Sequence, residues 1–444
     1  MKSGTGRLGA SPRDEEDGTE RPEGRVRLLN RDFVLLWQGQ LVSQLGDQAF
    51  SIAVLYWLME ATGSAGLMGL LMMASLLPTV VLAPLGVALA DGLPRLRIIV
   101  VSDLLRGGLI LLAAWVMSTS AESIHLVVGT LLVVTFLGGV VRAVFQPAVV
   151  ASIPDLVPRH RLAAGNSLHQ VSTQASQLLG QAAGGLLFSA LGAIPLLVLD
   201  GLSFLFSAGS ASFIRMSPTK AEKATGAPGA LSRAWEDARA GFDYVWRLRG
   251  LRSVLGIAAA INFLAMPVLV MLPFFASDTL GRDASWYGFL LAAMGCGALV
   301  GSLTAGAGGG KLASSPRILF GCLALISGGF VGLGFSDQPT TALAFMFLVG
   351  LGAGVVNLSI LTLTQVAAPP AMRGRVLSLL IALSGVAAPL GLAVGGLLGE
   401  LTDRDAPAIA RFSGFAVLGL LIAVAIRPST REFLRLAASR EAEN

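Results

Sequence analysis

Charged side chains are scarce in this chain of 444 residues: Asp, Glu, Lys and Arg together make up 13% of it. A soluble domain carries about 25%, so a water-solvated globular surface is excluded. Cysteine is nearly absent. Cys296 and Cys322 both sit inside apolar runs, which excludes a disulfide framework and a thiolate metal centre. Histidine is equally rare. His125, His160 and His169 have no metal-ligand spacing with one another or with a carboxylate, so no metal is expected. No Ser/His/Asp set, nucleotide-binding glycine loop or paired catalytic carboxylates can be assembled, which argues against an enzyme, against a cofactor and against ATP-driven chemistry. The opening "SPRDEEDGTERPEGR" lacks the apolar core of a signal peptide and reads as a solvated, disordered tail.

What the chain has in abundance is apolar length. It is 54% hydrophobic, and its mean hydropathy is +0.73. Twelve stretches are long and apolar enough to cross a bilayer, each needing about 20 residues. They cover approximately 33–59, 66–90, 97–118, 124–150, 164–190, 193–214, 252–276, 286–308, 316–335, 341–367, 375–400 and 409–426. The fold class expected is all-α: a polytopic membrane protein of twelve transmembrane helices in two six-helix halves. An even number of spans puts both termini on one side. Of the 32 Lys and Arg residues, 27 then fall in the tails and in loops on that side, and Arg282, Arg404 and Arg411 fall opposite. Lys and Arg concentrate in cytoplasmic loops, so both termini are expected in the cytoplasm and the basic balance implies no nucleic acid.

The organisation expected is a tail over 1–30, a first half over 31–215, a cytoplasmic linker over 216–251, a second half over 252–427 and a tail over 428–444. In the linker, Trp235, Ala238, Phe242, Val245 and Trp246 recur at helical spacing opposite charges, the pattern of a helix lying on the membrane surface. The halves read as a duplication. "PRHRLAAGNSL" precedes a helix containing "GQAAGGLL", and "PAMRGRVLSLL" precedes one containing "GLAVGGLL". The matching residues are 211 or 212 apart, from Pro158 and Pro370 through Gly185 and Gly396. Such internal repeats are the architecture of secondary transporters, with the substrate path between the halves.

Ionisable residues at bilayer depth are costly and mark function by default. Asp47 lies at the centre of the first span. Asp103 and Arg106 are three residues apart on one helix face and predict a local ion pair. Asp200 predicts structural hydrogen bonding. Gln170, Gln174, Gln177 and Gln181 form a stripe about 60° wide on one helix, read as the wall of a wet cavity or as interhelical glue. In the second half, Asn262, Asn357, Thr362, Thr364 and Gln365 offer an opposite wall.

From about residue 30 to 430 the chain resembles the major facilitator superfamily, in particular its twelve-helix drug and siderophore exporters. "RDFVLLWQGQLVSQLGDQAF", "GVALADGLPRLR" and "TLTQVAAPPAMRGRV" carry the resemblance. It implies a proton-coupled exporter of a small amphiphilic compound, working as a monomer in the bacterial inner membrane. The alternatives are an uptake or facilitated transporter and a non-transporting sensor on the same fold. In the loop after the second span, Gly86, Asp91 and Arg95 match the family's cytoplasmic gate motif, whereas Gly92, Pro94 and Leu96 depart from it. Arg95 is expected to pair with a carboxylate across the half interface. Gly180, Gly184 and Gly185 match the helix 5 antiporter motif, with Gln181 in place of its proline. The family fold places the first and fourth helices along the central cavity. Asp47 is therefore expected to be the proton-coupling or substrate-contacting carboxylate with Arg142 as partner, or else a residue bonded to neighbouring backbone.

Overall fold

The computed structural model describes residues 30–120, 122–215, 239, 242–307, 316–369 and 372–426. The two expected tails, and Trp235 and Ala238 of the linker, lie outside these residues. Among the described residues thirteen α-helices of ten residues or more follow one another: α1 (Arg31–Thr62), α2 (Ala65–Val81), α3 (Ala83–Gly92), α4 (Arg95–Thr119), α5 (Ile124–Leu156), α6 (Leu162–Leu191), α7 (Ala193–Ser212), α8 (Arg249–Phe274), α9 (Ala284–Ala307), α10 (Pro316–Leu333), α11 (Pro339–Ala367), α12 (Arg373–Leu401) and α13 (Ala406–Ile426). They make twelve spans, because α2 and α3 are one span bent by 51°. Sequence reading gives the two together as one apolar stretch, 66–90. It breaks because Pro84 has no N–H to give the preceding turn and Pro78 lies four residues before the junction at Leu82.

Eight helices and the bent pair pass as membrane spans on length and hydropathy alone among the described residues. The helices outside that set are informative. α1 and α6 carry the glutamine stripes and Asp47, and such groups are tolerated at bilayer depth only when they face protein or water. The apolar part of α10, Arg317–Leu333, is short.

The helix ends are built by local chemistry. Asn30 caps α1, accepting from the Phe33 N–H at 2.9 Å, and its amide donates to the Leu156 carbonyl at 2.6 Å. This ties the start of α1 to the end of α5. Gly63 ends α1 in the left-handed region, at φ 60°, where a side chain would be strained. Its N–H closes the last turn onto the Met59 carbonyl at 2.8 Å.

The first half comprises α1 to α7 and the second α8 to α13. Residues 30 and 426 lie on the same side of the bundle, here the terminal side; the opposite is the far side. The halves meet chiefly through α6 against α9 and α2 against α12. The duplicated glycines explain how. A Cβ on Gly180 would come 2.7 Å from the Cβ of Gln48, and one on Gly184 would come 2.8 Å from the Cα of Ala49, so both sit on α1. A Cβ on Gly185 would meet the Ala284 carbonyl oxygen of α9 at 2.5 Å. In the second half Gly391 and Gly395 approach Phe263 and Pro267 of α8, while Gly396 approaches Ala65 and Gly69 of α2. Each copy packs two glycines on the first helix of its own half and the third on the other half. In lipid such close backbone approach is the main source of helix association.

At the far side a polar clasp joins the halves. Glu400, near the end of α12, accepts from the Ser64 hydroxyl at 2.6 Å and from the Gly66 N–H at 2.9 Å, at the N-terminus of α2. Arg404 donates to the Gly63 carbonyl at 3.3 Å, at the C-terminus of α1. Both charges complement the helix dipole they meet. Arg404 and its neighbour Asp403 hold φ values of 64° and 50°, the positive-φ residues other than glycine among those described. Tyr56 adds a bond to the Arg282 carbonyl at 3.4 Å. Glu400→Gln is expected to release about 1 kcal/mol of this closure. That shifts the closed-to-open ratio at the far side roughly fivefold. Distances between spin labels at the exposed Ala61 and Thr402, neither of whose side chains bonds Glu400, should broaden toward longer values, and an unchanged distribution would rule the clasp out.

Candidate functional site

The centre of α1 is polar for a reason set by its neighbours. Asp47 accepts from two guanidinium groups, one on each carboxylate oxygen. Arg106 of α4 donates to Oδ1 at 2.8 Å, and Arg142 of α5 donates to Oδ2. The side chains are 16% exposed at Asp47, 8% at Arg106 and 31% at Arg142. Arg106 is held on its other side by aromatic packing, with its guanidinium carbon 4.0 Å from the centre of the Phe204 ring and 5.9 Å from that of Phe145. A charge-assisted bond at each oxygen and a cation–π contact behind Arg106 fix the cluster.

The sequence-expected partner Arg142 is in place. Arg106 is the surprise. The spacing with Asp103 predicts a local pair, but Arg106 reaches across to Asp47. Asp103 instead accepts from the Ser207 hydroxyl at 2.7 Å. The local pair is lost because α4 presents Arg106 toward α1 and Asp103 toward α7, and the helices cross closely where Gly107 meets the Gly201 carbonyl. Asp200 accepts from Ser203 at 3.3 Å, in line with its expected structural bonding. Both acids are fully buried, and one oxygen of each has no partner.

Two cavities of about 160 Å³ each lie on either side of this cluster. The one toward the far side is walled by Phe50, Val54, Leu55, Leu71, Met72 and Leu109. The one toward the terminal side is walled by amides and hydroxyls: Gln40, Gln44, Gln48, Gln146, Thr173 and Gln177, with Ser43 and Ser176. Asp47, Arg106 and Arg142 line both, so the ion cluster is the partition between a polar and an apolar chamber. The Ser176 hydroxyl and Gln44 Oε1 are buried there without partners.

The amide stripe of α6 contributes less than its periodicity suggests. Gln177 lines the polar chamber; Gln170 is exposed, Gln174 is half-buried, and the backbone of Gln181 packs against Gly288 of α9. The rest of the amide wall comes from Gln146 of α5 and from Gln40, Gln44 and Gln48, which recur every fourth residue on α1, a signal of the same kind that sequence reading passes over. On the opposite half, Asn262 donates to the Ala258 carbonyl of its own helix at 2.9 Å, and Asn357 and Gln365 are exposed. None of the three lines either chamber. Thr364 is buried and bonds the Ile360 carbonyl.

Arg95 departs from expectation. It pairs with Asp155 at 2.8 Å and donates to the Ala151 carbonyl at 2.8 Å, both on α5 of its own half. Its partner is therefore not across the half interface, because the turn between α3 and α4 lies along the end of α5. Gly86 brings α3 against α5, where a Cβ would fall 1.9 Å from the Ala143 carbonyl oxygen. The side chain of Asp91 lies outside the described residues. On the linker, Phe242 and Trp246 are exposed and stacked at 5.3 Å, with Val245 buried.

Two helical halves that repeat one motif, a partitioned polar cavity at mid-membrane and closure on one side define a membrane transporter. The chain belongs to the transmembrane secretion effector family of major facilitator transporters, whose family model matches residues 26–439. It is similar to macrolide efflux protein A of Streptococcus pyogenes, with 24% identity over 373 residues covering 83% of this chain and 89% of that protein. It is also similar to the multidrug efflux pump Tap of Mycobacterium tuberculosis, with 26% identity over 414 residues covering 90% and 94%. Among solved structures, a bacterial homologue of the human lysosomal transporter Spinster, inward-facing and unoccupied, superposes with a TM-score of 0.66 at 14% identity, covering 93% of this chain and 98% of that one. That likeness is one of fold.

Proposed function

We propose that this protein is a proton-coupled exporter of small amphiphilic compounds, seated in a bacterial inner membrane with both termini in the cytoplasm, and that Asp47 is its coupling carboxylate. The observation that carries the reading is the position of Asp47, bonded to two arginines on the wall between two chambers. A carboxylate there is reached from a polar cavity on one side and shielded by apolar side chains on the other. Protonation of Asp47 removes the charge that holds Arg142, so the state of one proton decides whether the partition between the chambers is intact. The bias of 27 basic residues to the terminal side supports its assignment to the cytoplasm. On that assignment the clasp faces outward. Export as the direction is supported by the efflux function named for the similar proteins. The gate role of Gly86, Asp91 and Arg95 stands as part of this reading, with Arg95 acting through Asp155.

The test is flux in proteoliposomes. An imposed pH gradient is expected to drive accumulation of at least one compound from a panel of neutral, anionic and cationic antibiotics, and collapsing the gradient to abolish it. Expression in a host without its own pumps should raise resistance to the same compound. Gradient-independent accumulation would remove proton coupling.

A further inference from the structure

We infer that the partitioned cavity takes an uncharged or anionic amphiphile, with its apolar body in the far-side chamber and a hydrogen-bond-accepting head on Arg142, and that it rejects organic cations. The inference rests on the proposed transport role only in taking this cavity as the ligand site. Among the residues lining both chambers, the ionisable ones are Asp47, Arg106 and Arg142, two cations against one anion. The single carboxylate is already bonded on both oxygens. Asp103 and Asp200 line neither chamber and are turned to Ser207 and Ser203 on α7.

The two arginines divide the work. Arg106 is 8% exposed and pinned between Asp47 and the Phe204 ring, so it stays with the carboxylate. Arg142 is 31% exposed and faces both chambers. If Arg142 turns to a ligand, Asp47 keeps one guanidinium and is not left as an unpaired buried charge. A guanidinium is planar with five donors and matches a carboxylate with two parallel bonds, which makes a carboxylate the best head group and a carbonyl or amide the next. The unpartnered Ser176 hydroxyl, 1% exposed, supplies a further donor on the polar side. An ammonium placed here would face two guanidiniums with no free acid to receive it. The apolar chamber, about 160 Å³, accepts a body of roughly two fused rings.

The experiment uses a matched series on one naphthalene body: naphthoate, naphthamide and naphthylmethyl-trimethylammonium. Binding to the detergent-solubilised full chain is measured by equilibrium dialysis. Naphthoate should bind about tenfold more tightly than naphthamide, the difference made by one charge-assisted pair, and the ammonium compound should not bind measurably. Arg142→Gln should bring naphthoate down to the naphthamide level. Arg142→Lys, which keeps the charge but not the paired geometry, should fall between. Tightest binding of the cation, naphthoate binding untouched in monodisperse Arg142→Gln, or binding of none of the three would each overturn the inference. Naphthoate counterflow in proteoliposomes separates this from the transport reading. Binding in the expected order without flux keeps the ligand class and removes transport, and flux with the cation first does the opposite.

Discussion

In Asp47→Asn, accumulation against a gradient is expected to vanish while downhill exchange of the same compound continues. Asparagine keeps the size of the side chain but offers one accepting oxygen in place of two, so it can hold Arg106 while Arg142 is released, as in the protonated acid. What is lost is the ability to gain and release a proton. A transporter that cycles without that step equilibrates its substrate but cannot concentrate it. The comparison is made in one preparation, with the pH gradient applied or collapsed, so loss of folding depresses both readings and is recognised. Full gradient-driven transport by well-folded Asp47→Asn would make the carboxylate structural and place coupling elsewhere, first at Asp103, whose Oδ1 has no partner.

Arg106→Gln is expected to have the largest effect on stability of any single change in the site. The guanidinium is buried, bonded to Asp47 and stacked on Phe204, and it is the nearer-packed of the two cations that compensate three acids at bilayer depth. Its removal leaves Asp47 with only the more exposed Arg142 and strips the Phe204 stack, a loss bounded by the about 3–5 kcal/mol that a fully broken buried pair costs. The variant should be depleted in membranes and should melt well below the parent in detergent. Arg142→Gln should melt much closer to the parent, since Arg142 is more exposed and Asp47 retains Arg106. The double variant Asp47→Asn/Arg106→Gln should recover part of the loss, because the under-compensated carboxylate is gone, and the size of the recovery measures the coupling of the pair. A parent-like melting curve for Arg106→Gln alone would mean that the cation does not compensate Asp47.

The twelve spans were legible because each is set by a local requirement: about 20 apolar residues whose backbone must be satisfied within its own helix. The duplication was legible because equivalent glycines recur at a fixed offset. The bond between Arg142 and Asp47 was anticipated from depth, both residues lying near the middle of their spans, together with the family resemblance that sets the first and fourth spans along one cavity. Where reading failed, it followed proximity along the chain. Asp103 lies three residues from Arg106 and Asp47 lies 59 away, yet the distant carboxylate holds the cation. Arg95 was expected to bridge the halves and instead bonds the end of α5. Gln170 and Gln181 share a stripe with Gln177 but not its chamber, because only the middle of α6 borders the cavity.

By itself the sequence determined the setting and the scaffold: a chain too apolar for water, cut into spans by charge and proline, with a carboxylate and two arginines at bilayer depth. Each of these follows from the cost of exposing backbone or charge to lipid, a cost paid residue by residue and therefore readable in one dimension. Only the tertiary structure decided which charges meet, which amides face a cavity and on which side the halves close. Those outcomes depend on the rotation of each helix about its axis and on how nearly two backbones can approach. Both are fixed by contacts between segments far apart in the chain, such as Gly185 on α9, Gly396 on α2 and Glu400 on the N-terminus of α2.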